Sequence, residues 1–279
     1  MTSISQLWFY PIKGCRGFRL AEATLAATGL EVDGVGDREW VVVDASGTFL
    51  SQRELPAMAL IETTLAGGSL RVSAPGMLKL EVPLASEGDV LKVRVWNDEV
   101  DAVTQGAVAD AWFSSFLGRP CRLMRFDPET RRWSNRRYTG ATAAPYKFAD
   151  AFALLVCSEA SLADLNTRLQ KKSLAPIGID RFRPNIVLGG IEAHEEDYAE
   201  EIATAGARLR AVKPCVRCTV PNVDPATGVA GFEPGDTLAV YRNDQKAGGV
   251  TFGVNAIVES GAGSTLRAGD TVELSFNFG

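Results

Sequence analysis

Histidine is almost absent from this sequence, in which His194 is the only one among 279 residues. A metal site made of two or three imidazoles is therefore excluded, and a serine–histidine or cysteine–histidine catalytic pair could use only that residue. His194 lies in the acidic segment 192–198 (EAHEEDY), where we expect it on the solvated surface. The chemistry of the protein is therefore expected to depend on other side chains.

Long apolar runs and an excess of positive charge are also missing. No stretch reaches the roughly 18 consecutive apolar residues of a membrane-spanning helix, and residues 1–6 lack the basic and apolar regions of a signal peptide. The 29 Lys and Arg residues are outnumbered by 34 Asp and Glu residues, so the net charge is −5. This balance argues against a generic nucleic-acid or anionic-membrane surface. We expect a cytoplasmic protein that binds neither nucleic acid nor membranes.

Cysteine is scarce and odd in number. The five cysteines are spread along the chain: Cys15, Cys121, Cys157, Cys215 and Cys218. A scattered, odd set in a long chain argues against a disulfide framework and predicts reduced thiols.

Short runs of alternating or β-branched residues, ended by Gly, Asp and Asn, predict a β-rich α+β protein. The predicted strands cover residues 4–10, 39–44, 91–96 and 271–276, with Asn97 and Asp98 as the turn after the third and with Val272, Leu274 and Phe276 on one face of the last. Strands this short, with such turns, favour barrels or strongly curved sheets.

Two helices are predicted among these strands. The first covers residues 108–117, with an apolar stripe of Val108, Ala111, Trp112 and Phe116. The second covers residues 158–169, can be capped by Ser158 or Ser161, and has Leu162, Leu165 and Leu169 at helical spacing.

A polar, turn-rich segment between Phe126 and Phe148 predicts a domain boundary. We therefore divide the chain into residues 1–126 and 127–279. The segment carries four arginines: Arg131, Arg132, Arg136 and Arg137. They indicate either a solvated loop or a basic patch for an anionic ligand or an acidic redox partner.

The densest group of reactive side chains lies in residues 213–228. Cys215 and Cys218 stand beside Lys213 and Arg217, and nearby cations favour the thiolate form. Such a thiolate could be a nucleophile, half of a redox disulfide or a ligand to a soft metal. Structural zinc would need a second ligand pair, which the sequence lacks. We predict a strand over residues 207–212 that Pro214 interrupts, and the residues after Cys218 cannot continue a thioredoxin-like helix.

Two basic segments suit an anionic ligand. Arg183 and Asn185 lie where a loop enters a strand, and Pro184 biases Arg183 toward an extended backbone; Arg181, just upstream, could equally form a salt bridge. Near the N-terminus, Lys13 and Gly14 form a tight basic turn.

Five segments taken together resemble the MOSC-domain proteins, in the branch of the mitochondrial amidoxime-reducing component and its bacterial relatives. They are YPIKGCRG (10–17), DREW (37–40), SEASLADLN (158–166), RFRPNIV (181–187) and CVRCTVPNVDPATG (215–228). The resemblance implies an N-terminal β-barrel domain, a C-terminal MOSC β-barrel domain with flanking helices, and a molybdenum–molybdopterin cofactor between them. It also implies two-electron reduction of N-hydroxylated or N-oxide compounds.

The same resemblance assigns the site residues. Cys218 is implied as the catalytic metal ligand, and the implied cofactor contacts are Lys13, Gly14, Arg38, Asp150, Arg183, Asn185, Arg217 and Asn255. Gly14 stands where the family often has serine, which removes a hydroxyl and keeps the backbone N–H. The cysteines do not form a ferredoxin pattern, so we expect a separate electron donor of the ferredoxin, cytochrome or flavin-reductase type.

Two other functions remain open at this stage. A non-redox MOSC protein could bind the cofactor or carry sulfur as a persulfide on Cys215 or Cys218. A thiol–disulfide oxidoreductase would instead form a reversible bridge between these two cysteines.

Overall fold

The computed structural model describes residues 1–85 and 87–277. Its strands are β1 Ser3–Phe9, β2 Phe18–Leu20, β3 Glu22–Ala26, β4 Gly29–Val32, β5 Val35–Gly36, β6 Trp40–Asp44, β7 Glu62–Ala66, β8 Ser69–Ser73, β9 Leu80–Pro83, β10 Val90–Val95, β11 Asp98–Thr104, β12 Cys121–Phe126, β13 Arg132–Trp133, β14 Pro145–Tyr146, β15 Leu154–Ser158, β16 Ile186–Gly189, β17 Ala199–Ala203, β18 Arg208–Val216, β19 Asn243–Asp244, β20 Gly249–Ser260, β21 Thr265–Arg267 and β22 Glu273–Phe276. The α-helices are α1 Ala107–Leu117, α2 Arg136–Thr139, α3 Glu159–Lys171 and α4 Gly235–Tyr241. None of the helices in these two ranges is long and apolar enough to cross a membrane.

The largest sheet has the strand order β2-β1-β16-β15-β20-β18-β17-β22, and β19 pairs with β20. Its β15 and β16 are parallel and are joined through α3, whereas β1 pairs antiparallel with β16. Two four-stranded sheets, β10-β11-β12-β6 and β21-β3-β4-β5, and the three-stranded sheet β7-β8-β9 complete the main framework. The predicted β-rich α+β fold is confirmed. The boundary at residue 126 stays a prediction, since β1 joins a sheet of the second half and β21 pairs with β3.

Most of the elements that were predicted from local sequence patterns lie close to their predicted positions. β1, β6, β10 and β22 lie within two residues of their predicted bounds, although the turn after β10 uses Trp96 and Asn97. α3 begins after Ser158, whose Oγ accepts a hydrogen bond from the Ser161 backbone N–H at 3.0 Å. Leu165 and Leu169 are buried on its inner face.

Two patterns were interpreted wrongly. The first helix buries Ala109 and Phe113 together with Trp112, whereas Val108 and Ala111 are exposed, because the face that packs against β12 lies one position further along. The strand predicted over residues 207–212, with Pro214 interrupting it, instead continues through Pro214 as β18 to Val216. Proline has no backbone N–H to donate to a neighbouring strand. The strand continues past Pro214 because register shifts on both sides of it interrupt the regular hydrogen-bond ladder with β20 at that point.

The segment 127–148 is not a plain solvated loop. It contains β13, α2 and β14, and Arg132 is buried with 5% of its side chain exposed. Arg132 Nη2 donates to Asp98 Oδ2 at 2.6 Å, and its Nη1 donates to the Lys147 carbonyl at 2.6 Å. Arg131, Arg136 and Arg137 are exposed. The solvated-loop interpretation is therefore wrong for Arg132, which ties the β10–β11 turn to the chain before β15.

His194 is also less exposed than predicted. Its side chain is 17% exposed, and its Nε2 lies 3.2 Å from Asp164 Oδ2 on α3. The 3₁₀ turn Glu195–Tyr198 folds the acidic segment back over the start of α3. There the buried Glu196 Oε2 accepts hydrogen bonds from the Oγ atoms of Ser158 and Ser161 at 2.9 and 2.8 Å. Tertiary packing thus outweighs the polar composition of the segment.

The Glu196 carboxyl should make stability pH-dependent. Burial raises its pKa, and its Oε1 is buried without a hydrogen-bond partner in the described chain. A carboxyl with a raised pKa stabilises the fold fully below its unfolded value of about 4.3, and this contribution is lost as the pH rises through the folded value. Glu196→Gln mimics the protonated form. We expect it to match the wild type in urea unfolding at pH 4 and to exceed it by about 1–3 kcal/mol at pH 8.

Glu200→Gln, at an exposed position on β17, is the control for this comparison. A constant difference between Glu196→Gln and the wild type at both pH values would contradict the assignment of a protonation effect.

Candidate functional site

A cavity of about 240 Å³ lies where the turn after β1 meets the ends of β15, β16 and β18. All nine residues that the sequence singled out line it: Lys13, Gly14, Arg38, Asp150, Arg183, Asn185, Arg217, Cys218 and Asn255. The chain thus brings together positions more than two hundred residues apart. Their roles toward a ligand remain predictions.

Lys13 and Asp150 form the ion pair of the cavity. Lys13 Nζ lies 2.6 Å from Asp150 Oδ1 and donates to the Phe148 carbonyl at 2.8 Å. Burial lowers the pKa of Lys13. The protein around the cavity partly desolvates Asp150, which opposes its ionisation, but the Lys13 ammonium and a hydrogen bond from Trp96 hold the pKa of Asp150 well below its usual range. The Asp150 side chain is nevertheless 71% exposed, since it faces the open cavity.

Two guanidinium groups crowd around one phenol ring. Arg38 and Arg183 place their Cζ atoms 4.5 and 4.3 Å from the Tyr10 ring centre. Arg38 pairs with Asp37 and donates to Asn185 Oδ1 at 3.0 Å and to the Arg183 carbonyl at 2.8 Å. Burial and the neighbouring Arg38 lower the pKa of Arg183, whose Nη2 is buried without a partner among the described residues. Arg183 is thus a buried cation beside a second cation, and one of its N–H donors lacks an acceptor. This arrangement is suited to an anionic ligand.

Three of the six non-glycine residues with a positive φ angle in the described chain line this cavity. Arg38, Trp96 and Arg183 have φ angles of 50°, 58° and 59°, in the left-handed region that bulky side chains avoid. Arg183 does not adopt the extended backbone predicted from Pro184; it ends the 3₁₀ turn Ile179–Phe182 and donates its N–H to the Asp180 carbonyl. Strain of this kind clusters at functional sites, where the surrounding structure holds it in place.

The two cysteines of the cavity differ in their surroundings. Arg217 Nη1 donates to Cys215 Sγ at 3.1 Å, and its Nη2 donates to the Phe182 carbonyl at 2.9 Å. Cys215 is half-buried, whereas Cys218, in the loop after β18, is exposed. Burial opposes the charge of Arg217, but the thiols of Cys215, Cys157 and Cys218 raise its pKa. Cys218 is therefore the thiol of the pair that is open to a ligand.

The other three cysteines are buried, and burial raises the pKa of Cys15 to about 12. Within residues 1–85 and 87–277, His, Cys, Asp and Glu form no cluster of three that could hold a metal. A metal at Cys218 would therefore need most of its ligands from a bound group, as a dithiolene-bearing pterin would provide. The residues present are compatible with such a group.

Sequence reasoning missed part of the cavity wall. Trp96, at the turn between β10 and β11, donates from Nε1 to Asp150 Oδ1 at 2.9 Å. Arg53 stacks on its ring with Cζ 4.3 Å from the centre, and Gln52 Nε2 donates to the Gly14 carbonyl at 2.6 Å. These residues lie in segments without a recognisable motif. The sequence around them offers no local signal that would have indicated a cavity wall.

The Trp96 wall can be tested by two substitutions. Trp96→Phe keeps a ring under Arg53 and loses the hydrogen bond to Asp150, which should cost about 0.5–1.5 kcal/mol of unfolding free energy. Trp96→Leu also loses the contact with the Arg53 guanidinium and should cost about 0.5–1 kcal/mol more. Urea unfolding of the cofactor-free proteins measures both. Equal stability of the two variants would contradict the stacking contribution.

The cavity is strongly cationic. Asp150 is the one carboxylate among its described lining residues, and six cations face it: Lys13, Arg38, Arg53, Arg183, Lys213 and Arg217. In a chain of net charge −5, this concentration predicts an anion such as a phosphate ester. A wider cleft of about 920 Å³ beside β12 and β13 is different, because its buried Glu39 is paired with both Arg125 and Lys147. The smaller cavity is therefore the candidate site.

The described structure is rich in β-strands and contains a cationic cavity with an exposed cysteine. Residues 1–120 match the MOSC N-terminal beta barrel domain, and residues 143–273 match the MOSC domain. The chain therefore belongs to the MOSC family, in the branch that contains the mitochondrial amidoxime-reducing components.

The relatives with those names are similar over most of their length. The mouse mitochondrial amidoxime-reducing component 1 is 36% identical over 98% of this chain and 82% of its own length. The bovine mitochondrial amidoxime reducing component 2 is 35% identical over 86% of this chain and 72% of its own. The crystal structure of the YuaD protein from Bacillus subtilis aligns with 99% of this chain and 97% of its own, at 11% identity and a TM-score of 0.43, which is too weak a likeness to bear on the site.

Proposed function

We propose that the protein is a molybdenum-cofactor-dependent reductase of N-hydroxylated or N-oxide compounds. The observation that carries this proposal is one cavity that combines the exposed thiol of Cys218 with six cations and one carboxylate. The family relationship and the names of the relatives support it.

The residues of the cavity divide by chemistry. Lys13, Arg38 and Arg183 would hold the phosphate of the cofactor, and the Gly14 backbone lies beside them. Asp150, Asn185 and Asn255 offer the carboxylate and amide groups that hydrogen-bond a pterin edge, Cys218 would ligate molybdenum, and Arg217 would fix the position of the loop that carries it. When bound, the cofactor would supply the two-electron redox couple.

The overall reaction fixes what must reach the site. Reduction of an N-hydroxylated compound consumes two electrons and two protons, breaks the N–O bond and releases water. The electrons would come from a separate protein of the ferredoxin, cytochrome or flavin-reductase type. We place the protein in the cytoplasm, a reducing compartment that suits its five free thiols.

Metal and pterin content test the proposal first. We expect near-stoichiometric molybdenum and pterin in protein purified from a cofactor-competent host, together with reduction of an amidoxime by dithionite-reduced methyl viologen. The exposure of Cys218 also permits the alternative, a sulfur carrier with a persulfide on Cys215 or Cys218. A mass increase of one sulfur on a cysteine, without molybdenum, would replace the reductase proposal by the carrier.

A further inference from the structure

The twenty residues from 130 to 149 contain five cations and no Asp or Glu. Two of these cations are used structurally, since Arg132 pairs with Asp98 and Lys147 with Glu39. Arg136 and Arg137, on α2, are exposed and form no ion pair within the part of the chain that the structure describes. With Tyr138 and Lys213 they make up what we name the α2 basic surface.

This surface lies at the rim of the candidate site. Arg210 on β18 fixes α2 by donating from Nη2 to the Thr139 carbonyl at 2.7 Å. The Tyr138 ring packs edge-on against Phe152 at 5.9 Å, and Lys213 Nζ lies 4.6 Å from the centre of the Tyr138 ring. Phe152 and Lys213 both line the cavity. Arg137 Cζ lies 5.8 Å from the centre of the Tyr138 ring, so this exposed guanidinium is one side chain away from the cavity wall, and Arg136 is its neighbour on α2.

The α2 basic surface is a local exception to the negative net charge of the chain. At a net charge of −5, an acidic protein would be repelled from most of the surface. A local cluster of unpaired cations steers such a partner to one place and raises its rate of association. Long-range steering depends on charges that are exposed and unpaired, as Arg136 and Arg137 are.

We propose that the α2 basic surface is the docking site of an acidic one-electron carrier protein. The inference rests on the proposed function and identifies where its electrons enter. Each turnover needs two carriers, and each carrier gives up one electron. The two electrons and two protons convert the N–OH group to N–H and water. The first carrier must leave before the second can dock. A small, charged, salt-sensitive contact suits this exchange better than a large apolar one.

The test compares two double charge reversals in the cofactor-loaded protein. Arg136→Glu/Arg137→Glu reverses the charge of the two exposed arginines of the α2 basic surface. Lys79→Glu/Arg119→Glu makes the same change in charge at two exposed positions beside β9 and α1, which do not line the cavity. The donors are a plant-type [2Fe–2S] ferredoxin, a flavodoxin and an acidic soluble cytochrome, each reduced beforehand. Stopped-flow mixing at low and high salt gives the second-order rate constants, and methyl viologen serves as a small donor.

We expect at least one acidic carrier to reduce the wild type, with a rate constant that falls as salt rises. In Arg136→Glu/Arg137→Glu that rate should fall by about 10- to 100-fold at low salt and lose most of its salt dependence, while the control variant stays within about twofold. Methyl viologen turnover should be equal in all three proteins.

Several outcomes would overturn the docking site. They are reduction by none of the acidic carriers, equal losses in the control variant, or a parallel loss of methyl viologen turnover in the α2 variant. If methyl viologen drives no turnover in the wild type, the proposed function fails first and the docking site with it. Normal viologen turnover with unchanged carrier rates refutes the docking site alone.

Discussion

Replacement of Cys218 by alanine is expected to lower amidoxime reduction at least about a thousandfold and to leave the purified protein with little molybdenum. Cys218 is the exposed thiol of the cavity, and no other cysteine there is both accessible and free of a cationic donor. Loss of the thiolate would remove the protein's proposed ligand to the metal. Metal analysis and steady-state rates, measured on the same preparations, check both effects.

Cys215→Ala is the matched control. The Cys215 sulfur accepts a hydrogen bond from Arg217, so its loss should loosen that arginine and lower activity by no more than about tenfold, with molybdenum retained. Equal loss of metal in both variants would indicate that the pair acts as a unit. Retention of metal and rate in Cys218→Ala would exclude Cys218 as the ligand.

The sequence predicted site residues best where the motif also indicates the local backbone, such as a turn at the end of a strand. Lys13 with Gly14, and Arg183 with Asn185, stand in turns at strand ends, and the structure brings these turns to one cavity. The positions of several strands and of α3 were predictable for a similar reason, because the alternation of apolar residues and helix capping are local sequence patterns.

The parts that could not be predicted depend on contacts between distant segments. Trp96 reaches the cavity only because the β10–β11 turn folds onto the segment that carries Asp150. His194 and Arg132 lie in polar segments and are covered by tertiary packing that composition does not reveal. The left-handed backbone of Arg38 and Arg183 has no sequence signal either, since it is imposed by the surrounding fold.

Replacement of Arg183 by methionine should separate stability from ligand binding. The Arg183 guanidinium is buried beside Arg38 and has one unpartnered nitrogen, so without an anion it is a desolvated cation next to a like charge. Methionine fills similar space without charge. We expect the cofactor-free variant to unfold with a free energy equal to the wild type or up to about 3 kcal/mol higher, as with other buried charges replaced by apolar side chains. The same variant should retain less than about a tenth of the wild-type molybdenum and pterin.

Arg181→Met, two residues away, is the control, and we expect the opposite pattern of stability and cofactor content. Arg181 pairs with Asp224 at 3.3 Å and donates to the Pro221 carbonyl, and it does not line the cavity. Its loss should destabilise the fold while cofactor content stays near the wild-type value. If Arg183→Met instead destabilises the cofactor-free protein as Arg181→Met does and still binds cofactor, Arg183 is a structural residue. In that case the strain and the unmet charge around Tyr10 would need another explanation than a ligand phosphate.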